Sequence, residues 1–285
     1  MEELEYTTSM ELIYERPHTV ILNGFDRSGS SAISKVLATH PEIELFMQPF
    51  NSGPVRKKMN VIWDEATATA VDVEFFRGLE RGEIIPSYIK SHWFEKHSTA
   101  QAFVPGKIHI IKTTINHLLI DWTQRNFPGI DHWVIWRNPM DILASMVRND
   151  VIDAWYGEAL TELTPTIHGQ QALDQRFGQF ISRVDHPHSR AALIISVRTW
   201  CLFSMANPLR VIDYESFRKD NHAGLLPFLD YYSLSSEITS NRNDLNISGQ
   251  RFELEKDHRR MVDPNELDLI QEIFLLIEAF RPISQ

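Results

Sequence analysis

One stretch near the start of the chain constrains the fold more than any other. Residues 19–40 read TVILNGFDRSGSSAISKVLATH. The apolar run from Val20 to Leu22 is typical of a buried parallel strand, and the second half carries apolar residues at helical spacing before Pro41. The pattern predicts a strand, a glycine-bearing loop and a helix, which is the basic unit of an α/β fold with a central parallel sheet.

The loop in this stretch is GFDRSGSS, residues 24–31. Gly29 can adopt backbone angles that are closed to other residues, so successive N–H groups can turn inward at the positive end of the helix dipole. Ser30 or Ser31 can cap the helix through its hydroxyl group. The loop is therefore predicted to hold an anion, although an ordinary strand-to-helix turn without a ligand is the alternative.

The same loop places two glycines and two hydroxyl residues in the frame GxxxxG[ST][ST], but Ser30 stands where the phosphate-loop signature has lysine. A kinase or NTPase is disfavoured without that lysine, and the only cation in the loop is Arg27. The run from Arg27 to Ser31 resembles the loop [KR]-S-G-[ST]-[ST] of sulfotransferases that use 3′-phosphoadenosine 5′-phosphosulfate (PAPS). This resemblance implies that Arg27, Ser28, Gly29, Ser30 and Ser31 bind the cofactor's 5′-phosphate.

A second motif, WVIWRNPMDILAS, occupies residues 133–145. Its apolar strand brings Arg137 to a carboxyl end, where open α/β sheets bind ligands, and Asn138 followed by proline suits a helix start. Ser145 follows Asn138 by nearly two helical turns and so lies on the same face as the helix start. An arginine fork with a hydroxyl group can hold a second phosphate. The alternative for Arg137 is a structural ion pair with Asp141.

Arg-Asn-Pro-x-Asp with this serine resembles the 3′-phosphate-binding segment of PAPS-dependent sulfotransferases. The two motifs together imply that family's three-layer, phosphate-loop-like fold, with helices on both faces of the parallel sheet. They also imply PAPS as cofactor, with Arg137 and Ser145 on its 3′-phosphate. Arginine and lysine then supply the positive charge, and no metal is expected; the sequence shows no Cys/His cluster with metal-ligand spacing.

Catalytic residues are less clearly marked. Lys112 ends a predicted strand 25 residues before Arg137, as the lysine of the family's Lys-Thr-His motif does, and the resemblance assigns it and Arg27 to the charge that develops on the leaving phosphate. The histidine of that motif has no exact counterpart. His92, in the Lys-Ser-His of a short β run predicted over residues 88–94, is the preferred general base and His117 the second candidate. Gln48 and Thr114 stand at the two positions where family members carry their base.

The remaining chain is predicted to complete one domain over residues 1–285, behind a leader over residues 1–17. Residues 149–169 and 231–250 are expected to be irregular or lid segments, the former near the acceptor site. Tyr214 and Glu215 match the family's late strand, predicted over 209–217, and this match is evidence for the fold only. Candidates for late cofactor contacts are Arg251, Lys256, Arg259 and Arg260.

The amino-acid composition limits the kinds of molecule that the protein is expected to bind. A net charge of −10 and a pI near 5.6 argue against nucleic acid and long sulfated polymers. The single cysteine excludes an intramolecular disulfide, and neither a signal peptide nor a span of about 20 apolar residues is evident. A cytoplasmic protein without a membrane span is expected.

The sequence thus predicts an enzyme that moves the sulfuryl group of PAPS to a hydroxyl or amine of a small-molecule, sugar or lipid acceptor. Two alternatives stay open. One is a catalytically silent sulfotransferase-like domain that binds nucleotide, which is consistent with Gln48 and Thr114 at the base positions. The other, less favoured, is a metal-dependent phosphate-loop kinase.

Overall fold

The computed structural model describes residues 18–51, 54–83, 92–99, 102–205, 207–235 and 261–280. Its centre is a five-stranded sheet of order β2-β3-β1-β4-β5 in which every pair of neighbouring strands is parallel. The strands are β1 (His18–Asn23), β2 (Ile43–Met47), β3 (Ile108–Thr113), β4 (Ile130–Trp136) and β5 (Arg210–Asp213). The predicted α/β fold class is confirmed.

The order of the strands indicates which edge of the sheet can bind a ligand. The chain leaves β1 for β2 and β3 on one side of the sheet and then crosses to β4 on the other side. Such a reversal opens a crevice at the carboxyl ends of the strands. In the register of the sheet, Lys112 near the end of β3 lies beside Leu22 of β1 and Met47 of β2, so it reaches this edge.

Helices cover both faces. In chain order they are α1 (Ser30–Leu37), α2 (Pro54–Lys57), α3 (Ala70–Glu80), α4 (His92–His97), α5 (Ile120–Asn126), α6 (Pro139–Arg148), α7 (Ile152–Tyr156), α8 (Ala159–Gly169), α9 (Gln171–Leu173), α10 (Gln179–Ile181), α11 (Pro187–Trp200), α12 (Tyr214–Lys219), α13 (Asn221–Tyr231) and α14 (Leu267–Leu275). A π-helical turn joins α9 to α10, and another follows α11. No described helix has the length and apolar character needed to cross a membrane.

The continuous apolar run of β1 follows from its burial on both faces. Val20 and Leu22 pack in a core with α1 and α13, whereas Ile21 points to the opposite core, which contains Phe76 of α3 and Trp122 of α5. A central parallel strand has no solvent-facing side and therefore shows no polar alternation. The loop that follows β1 is thus fixed to the central strand of the sheet.

A third apolar core is formed around α11, in which Ala191 to Val197 are all buried. Helices α6, α7 and α14 pack against α11. Because α6 begins directly after Arg137 and carries Ser145, this core fixes the position of the second predicted phosphate motif.

Two segments differ from the sequence predictions. Residues 149–169, expected to be irregular, form α7 and α8; α8 contains Pro165 but buries Leu163 and Ile167 completely. The strand predicted over 209–217 ends at Asp213, because this side chain accepts a hydrogen bond from the Ser216 N–H and starts α12.

A short β run predicted over 88–94 is also wrong where it can be compared, since α4 begins at His92. The rest of that run lies outside the described residues. So do the leader over 1–17, most of the segment 231–250, and the late basic candidates Arg251, Lys256, Arg259 and Arg260.

Candidate active site at the carboxyl edge of the sheet

The first motif forms a tight loop between β1 and α1. Gly29 is the N-cap residue of α1, with φ +83°, and no side chain caps the helix. The predicted cap by Ser30 or Ser31 is therefore wrong. An N-terminus without a side-chain cap keeps its first-turn N–H groups for a ligand, at the positive end of the helix dipole.

The loop is held in an unusual backbone conformation. Arg27 has φ +65°, a region that a non-glycine residue rarely occupies. The Ser28 hydroxyl group is fully buried and has no hydrogen-bond partner among the described residues. Such strain and unsatisfied polar groups concentrate at functional sites, where a ligand can complete the missing contacts.

The second motif meets the first at this loop. Arg27 Nε donates a hydrogen bond to Ser145 Oγ at 3.3 Å, and Arg137 Nη1 donates to the carbonyl oxygen of Arg27 at 2.6 Å. Asn138 caps α6 by accepting from the Met140 N–H at 2.9 Å, as predicted. The residues assigned to the two phosphates therefore lie in one continuous site.

Tyr214 is part of this site, although its sequence motif indicates only a place in the fold. The Arg137 Cζ lies 4.7 Å from the centre of the Tyr214 ring. A Cβ atom placed on Gly29 would lie 2.1 Å from a ring carbon of Tyr214. One aromatic ring thus touches both motifs. The Tyr-Glu pair in the sequence was the available signal, but it does not reveal this contact.

Positive charge dominates the junction of the two motifs. Burial, and then the neighbouring Arg137, lower the pKa of Arg27. Arg137 forms no ion pair with a carboxylate in the described part of the chain, so the alternative pairing with Asp141 is absent there. Its Nε is buried without a hydrogen-bond partner among those residues. Two adjacent guanidinium groups with an unused donor fit a phosphate ester.

Lys112 approaches the same edge from β3. Its side chain is 1% exposed, and burial lowers its pKa to about 8, against the opposing effect of Asp26. The N–H of Gln48 donates to the carbonyl oxygen of Lys112 at 2.8 Å. A buried ammonium group in a low-dielectric position interacts strongly with a charge that develops nearby.

The two histidines proposed as general base, His92 and His117, differ in what the structure describes of them. His92 begins α4, but its side chain lies outside the described residues, so its role stays a prediction. His117 is buried, with its ring stacked 4.3 Å from the ring of Phe25 in the first loop. Burial and the positive charge of Arg198 hold the pKa of His117 well below its usual value. The imidazole is therefore neutral at pH 7.

Within the described residues, no group of three or more His, Cys, Asp or Glu side chains lies together in a way that could hold a metal ion. The structure thus brings together Arg27, Arg137, Ser145 and the loop from Ser28 to Ser31. Anion binding and stabilisation of developing negative charge are the chemistry that this set of donors can perform.

No protein-family model matches the chain, and the search of curated proteins finds no significant relative. The solved structures to which it is similar include sulfotransferases. One is from Alicyclobacillus acidocaldarius, with 14% identity over 94% of this chain and 98% of that chain, at a TM-score of 0.49. Mouse sulfotransferase SULT7A1, solved with PAP, shows 15% identity over 96% of this chain and 89% of that one, at a TM-score of 0.42. Sulfotransferase STF9 from Mycobacterium avium shows 14% identity over 98% and 81%, at 0.45.

Proposed function

We propose that this protein is a sulfotransferase that moves the sulfuryl group of PAPS to a hydroxyl or amine of a small-molecule, sugar or lipid acceptor. The observation that carries the proposal is the junction of the two motifs: Arg27 bonds to Ser145, and Arg137 bonds to the Arg27 backbone. Two groups of residues suited to phosphate meet in one site, which fits a sulfuryl donor that carries two separate phosphate groups.

The donor groups divide between these phosphates. The N–H groups from Ser28 to Ser31, at the uncapped start of α1, face the 5′-phosphate in this proposal. Arg137 and Ser145 hold the 3′-phosphate, and the Nε of Arg137 provides a donor that has no partner among the described residues. The Tyr214 ring holds the Arg137 guanidinium by a cation–π contact, with Cζ 4.7 Å from the ring centre.

PAPS, when bound, supplies the activated sulfuryl group. In the proposed reaction the acceptor oxygen or nitrogen forms a bond to sulfur while the bond from sulfur to the 5′-phosphate oxygen breaks and leaves its electron pair on that oxygen. The transfer resembles phosphoryl transfer, in which the protein contributes positioning and charge stabilisation. Arg27 and Lys112 stabilise the growing negative charge, and His92 takes the acceptor proton.

Calorimetric titration with adenosine 3′,5′-bisphosphate, beside Mg-ATP, tests the cofactor class. We expect micromolar binding of the bisphosphate alone in the wild type and its loss in Arg137→Ala. Arg183→Ala is the matched control, because Arg183 pairs with Glu272 at an exposed position. Tighter binding of Mg-ATP contradicts the proposal and favours the kinase alternative.

Gln48 gives the silent-domain alternative a specific basis. It occupies a family base position beside Lys112, and an amide cannot accept a proton at neutral pH. Turnover decides between the two: with PAPS and an acceptor panel we expect sulfate transfer that Arg27→Ala abolishes. Bisphosphate binding without transfer to any acceptor would establish the silent domain instead.

A further inference from the structure

A group of buried polar residues lies behind the first loop and has no part in the phosphate contacts. We call it the Arg198 cluster, and it consists of Asn60, His117, Tyr156 and Arg198. Each of these side chains is at least 97% buried. Arg198 projects from α11, whereas Tyr156 ends α7 and the other two lie in loops.

Arg198 is a buried cation that has no carboxylate partner in the part of the chain that the structure describes. Its Nη2 donates to Asn60 Oδ1 at 2.8 Å, but in the described chain it forms no ion pair. The ring of Tyr156 lies 5.3 Å from its Cζ. A buried charge held by a neutral amide and an aromatic face has lost most of its hydration with little compensation.

The cluster also contains polar atoms whose hydrogen bonding is incomplete. Arg198 Nε is buried without a hydrogen-bond partner among the described residues. The Tyr156 hydroxyl group lies beside Arg198 and the His117 ring beside the Gly24 backbone, but neither makes a well-directed hydrogen bond there. Native proteins leave few buried polar atoms unsatisfied, and each such atom calls for a water, an ion or a ligand. An unused guanidinium donor, on an arginine that has no carboxylate partner in the described chain, points to an anionic oxygen ligand.

The cluster lies between the phosphate loop and a surface cleft. On the inner side, His117 stacks on Phe25 of the loop at 4.3 Å. On the outer side is a cleft of about 310 Å³ whose lining includes Arg56 and Trp155 together with the carboxylates of Asp153, Glu158 and Glu162. Asn60 connects the two sides, because its Nδ2 donates to Glu162 Oε2 at 2.6 Å while its Oδ1 accepts from Arg198.

We propose that the Arg198 cluster is the acceptor subsite, and that it binds a carboxylate group on the acceptor through the Arg198 guanidinium and the Tyr156 hydroxyl. The inference rests on the proposed function in one respect, because only a transferase has an acceptor. The binding of a carboxylate is argued from the cluster itself. It narrows the acceptors to hydroxyl or amine compounds that also carry a carboxylate. Such a molecule places its nucleophile toward Phe25 and the loop, on the side where His117 stacks.

Thermal unfolding with small carboxylates tests the subsite directly. Formate, acetate and benzoate are each compared with the corresponding neutral amide at constant ionic strength, with and without saturating adenosine 3′,5′-bisphosphate. We expect at least one carboxylate to raise the melting temperature saturably by about 2–4 °C, and its amide to have no effect. Equal responses to acid and amide, or no response to any carboxylate, overturn the proposal.

Two variants distinguish whether the Arg198 cluster binds a ligand or only stabilises the fold. Arg198→Met removes the charge and is expected to abolish the carboxylate response while bisphosphate binding persists. Arg137→Ala is expected to do the reverse, so this proposal and the proposed function fail independently. A carboxylate response that survives in Arg198→Met contradicts the subsite.

A second pair of variants keeps the test valid if Arg198→Met does not fold. The double variant Asn60→Asp/Glu162→Gln exchanges the amide and the carboxylate, so that a built-in carboxylate meets Arg198 at the Asn60 position. We expect a higher melting temperature without ligand and no carboxylate response. Glu162→Gln alone is the control, because it retains an acceptor for Asn60 Nδ2 and leaves Arg198 uncompensated; it should keep the response.

Discussion

The guanidinium of Arg137 donates a hydrogen bond of 2.6 Å to the backbone carbonyl oxygen of Arg27. A side chain of the second motif thereby supports the backbone of the first, at a residue with positive φ. The side chain of Arg27, in the first motif, in turn donates a hydrogen bond to Ser145 of the second motif. The two motifs therefore hold each other in place. Disturbing one of them is expected to alter the other.

Replacement of Arg137 by lysine tests this mutual support. Lysine keeps the charge but lacks the planar fork that can serve the Arg27 carbonyl group, a phosphate and the Tyr214 ring together. We expect Arg137→Lys to weaken bisphosphate binding by about 10-fold or more, equivalent to about 1.4 kcal/mol. Calorimetry measures the effect, with Arg183→Lys at the exposed Glu272 pair as control. Wild-type affinity in Arg137→Lys would show that charge alone suffices.

Gly29 and Gly106 form a matched pair for the first loop. Both have positive φ, +83° and +76°. A Cβ on Gly29 meets the Tyr214 ring at 2.1 Å, whereas one on Gly106 meets no atom of the described residues within 4 Å. We expect Gly106→Ala to lower the free energy of unfolding by about 1 kcal/mol, from backbone strain alone. Gly29→Ala should cost about 1–3 kcal/mol more, because the alanine methyl group displaces Tyr214.

Denaturant unfolding measures the difference between these two glycine variants, and calorimetry shows whether the loop still binds. Only Gly29→Ala is expected to lose bisphosphate binding. Equal costs in the two variants would mean that Tyr214 moves aside freely and does not hold the loop.

Local features explain what the sequence could predict. The strand and loop of the first motif, and the Asn138-Pro139 start of α6, depend on burial, backbone freedom and capping within a few residues. The structure confirms the fold class and places Arg27, Arg137 and Ser145 together. The Gly29 N-cap was missed because Ser30 and Ser31 are better capping residues by type, whereas the positive φ of Gly29 is set by the loop.

Contacts between distant segments explain what the sequence could not predict. Helix α8 was missed because Pro165 weakens its local signal, and the burial of Leu163 and Ile167 against α11 overrides that weakness. The stacking of Tyr214 on Arg137 and the burial of Arg198 likewise exist only in the folded chain.

Lys112 predicts a pH dependence of binding. Its pKa is lowered to about 8 by burial, so it loses its proton within an accessible pH range. Because a bound anion favours the protonated amine, bisphosphate affinity should fall by up to about 10-fold per pH unit above pH 8. Lys112→Met should bind more weakly at pH 7 and show a flat profile from pH 7.5 to 9.5. Parallel profiles in the two proteins would place Lys112 away from the ligand.

The free protein should show the opposite dependence. Unfolded Lys112 keeps its proton up to its usual pKa of 10.5, while the folded residue releases it at about 8. Between these values the unfolded state binds more protons, so the stability of the wild type relative to Lys112→Met should rise with pH. Chemical denaturation of both proteins at several pH values measures this difference.

His132 predicts how the protein responds to acid. The residue is buried in β4, where its Nε2 lies 3.3 Å from Thr123 Oγ1, and burial lowers its pKa from 6.5 to about 3. Below pH 6.5 the unfolded chain takes up a proton that folded His132 cannot, so the free energy of unfolding should fall by about 1.4 kcal/mol per pH unit from this residue. His132→Gln should remove that slope between pH 6 and 4, as measured by urea denaturation. Above pH 7.5 the difference between the two proteins should be constant, which provides the internal control. An unchanged acid slope in the variant would show that His132 becomes protonated within the folded protein.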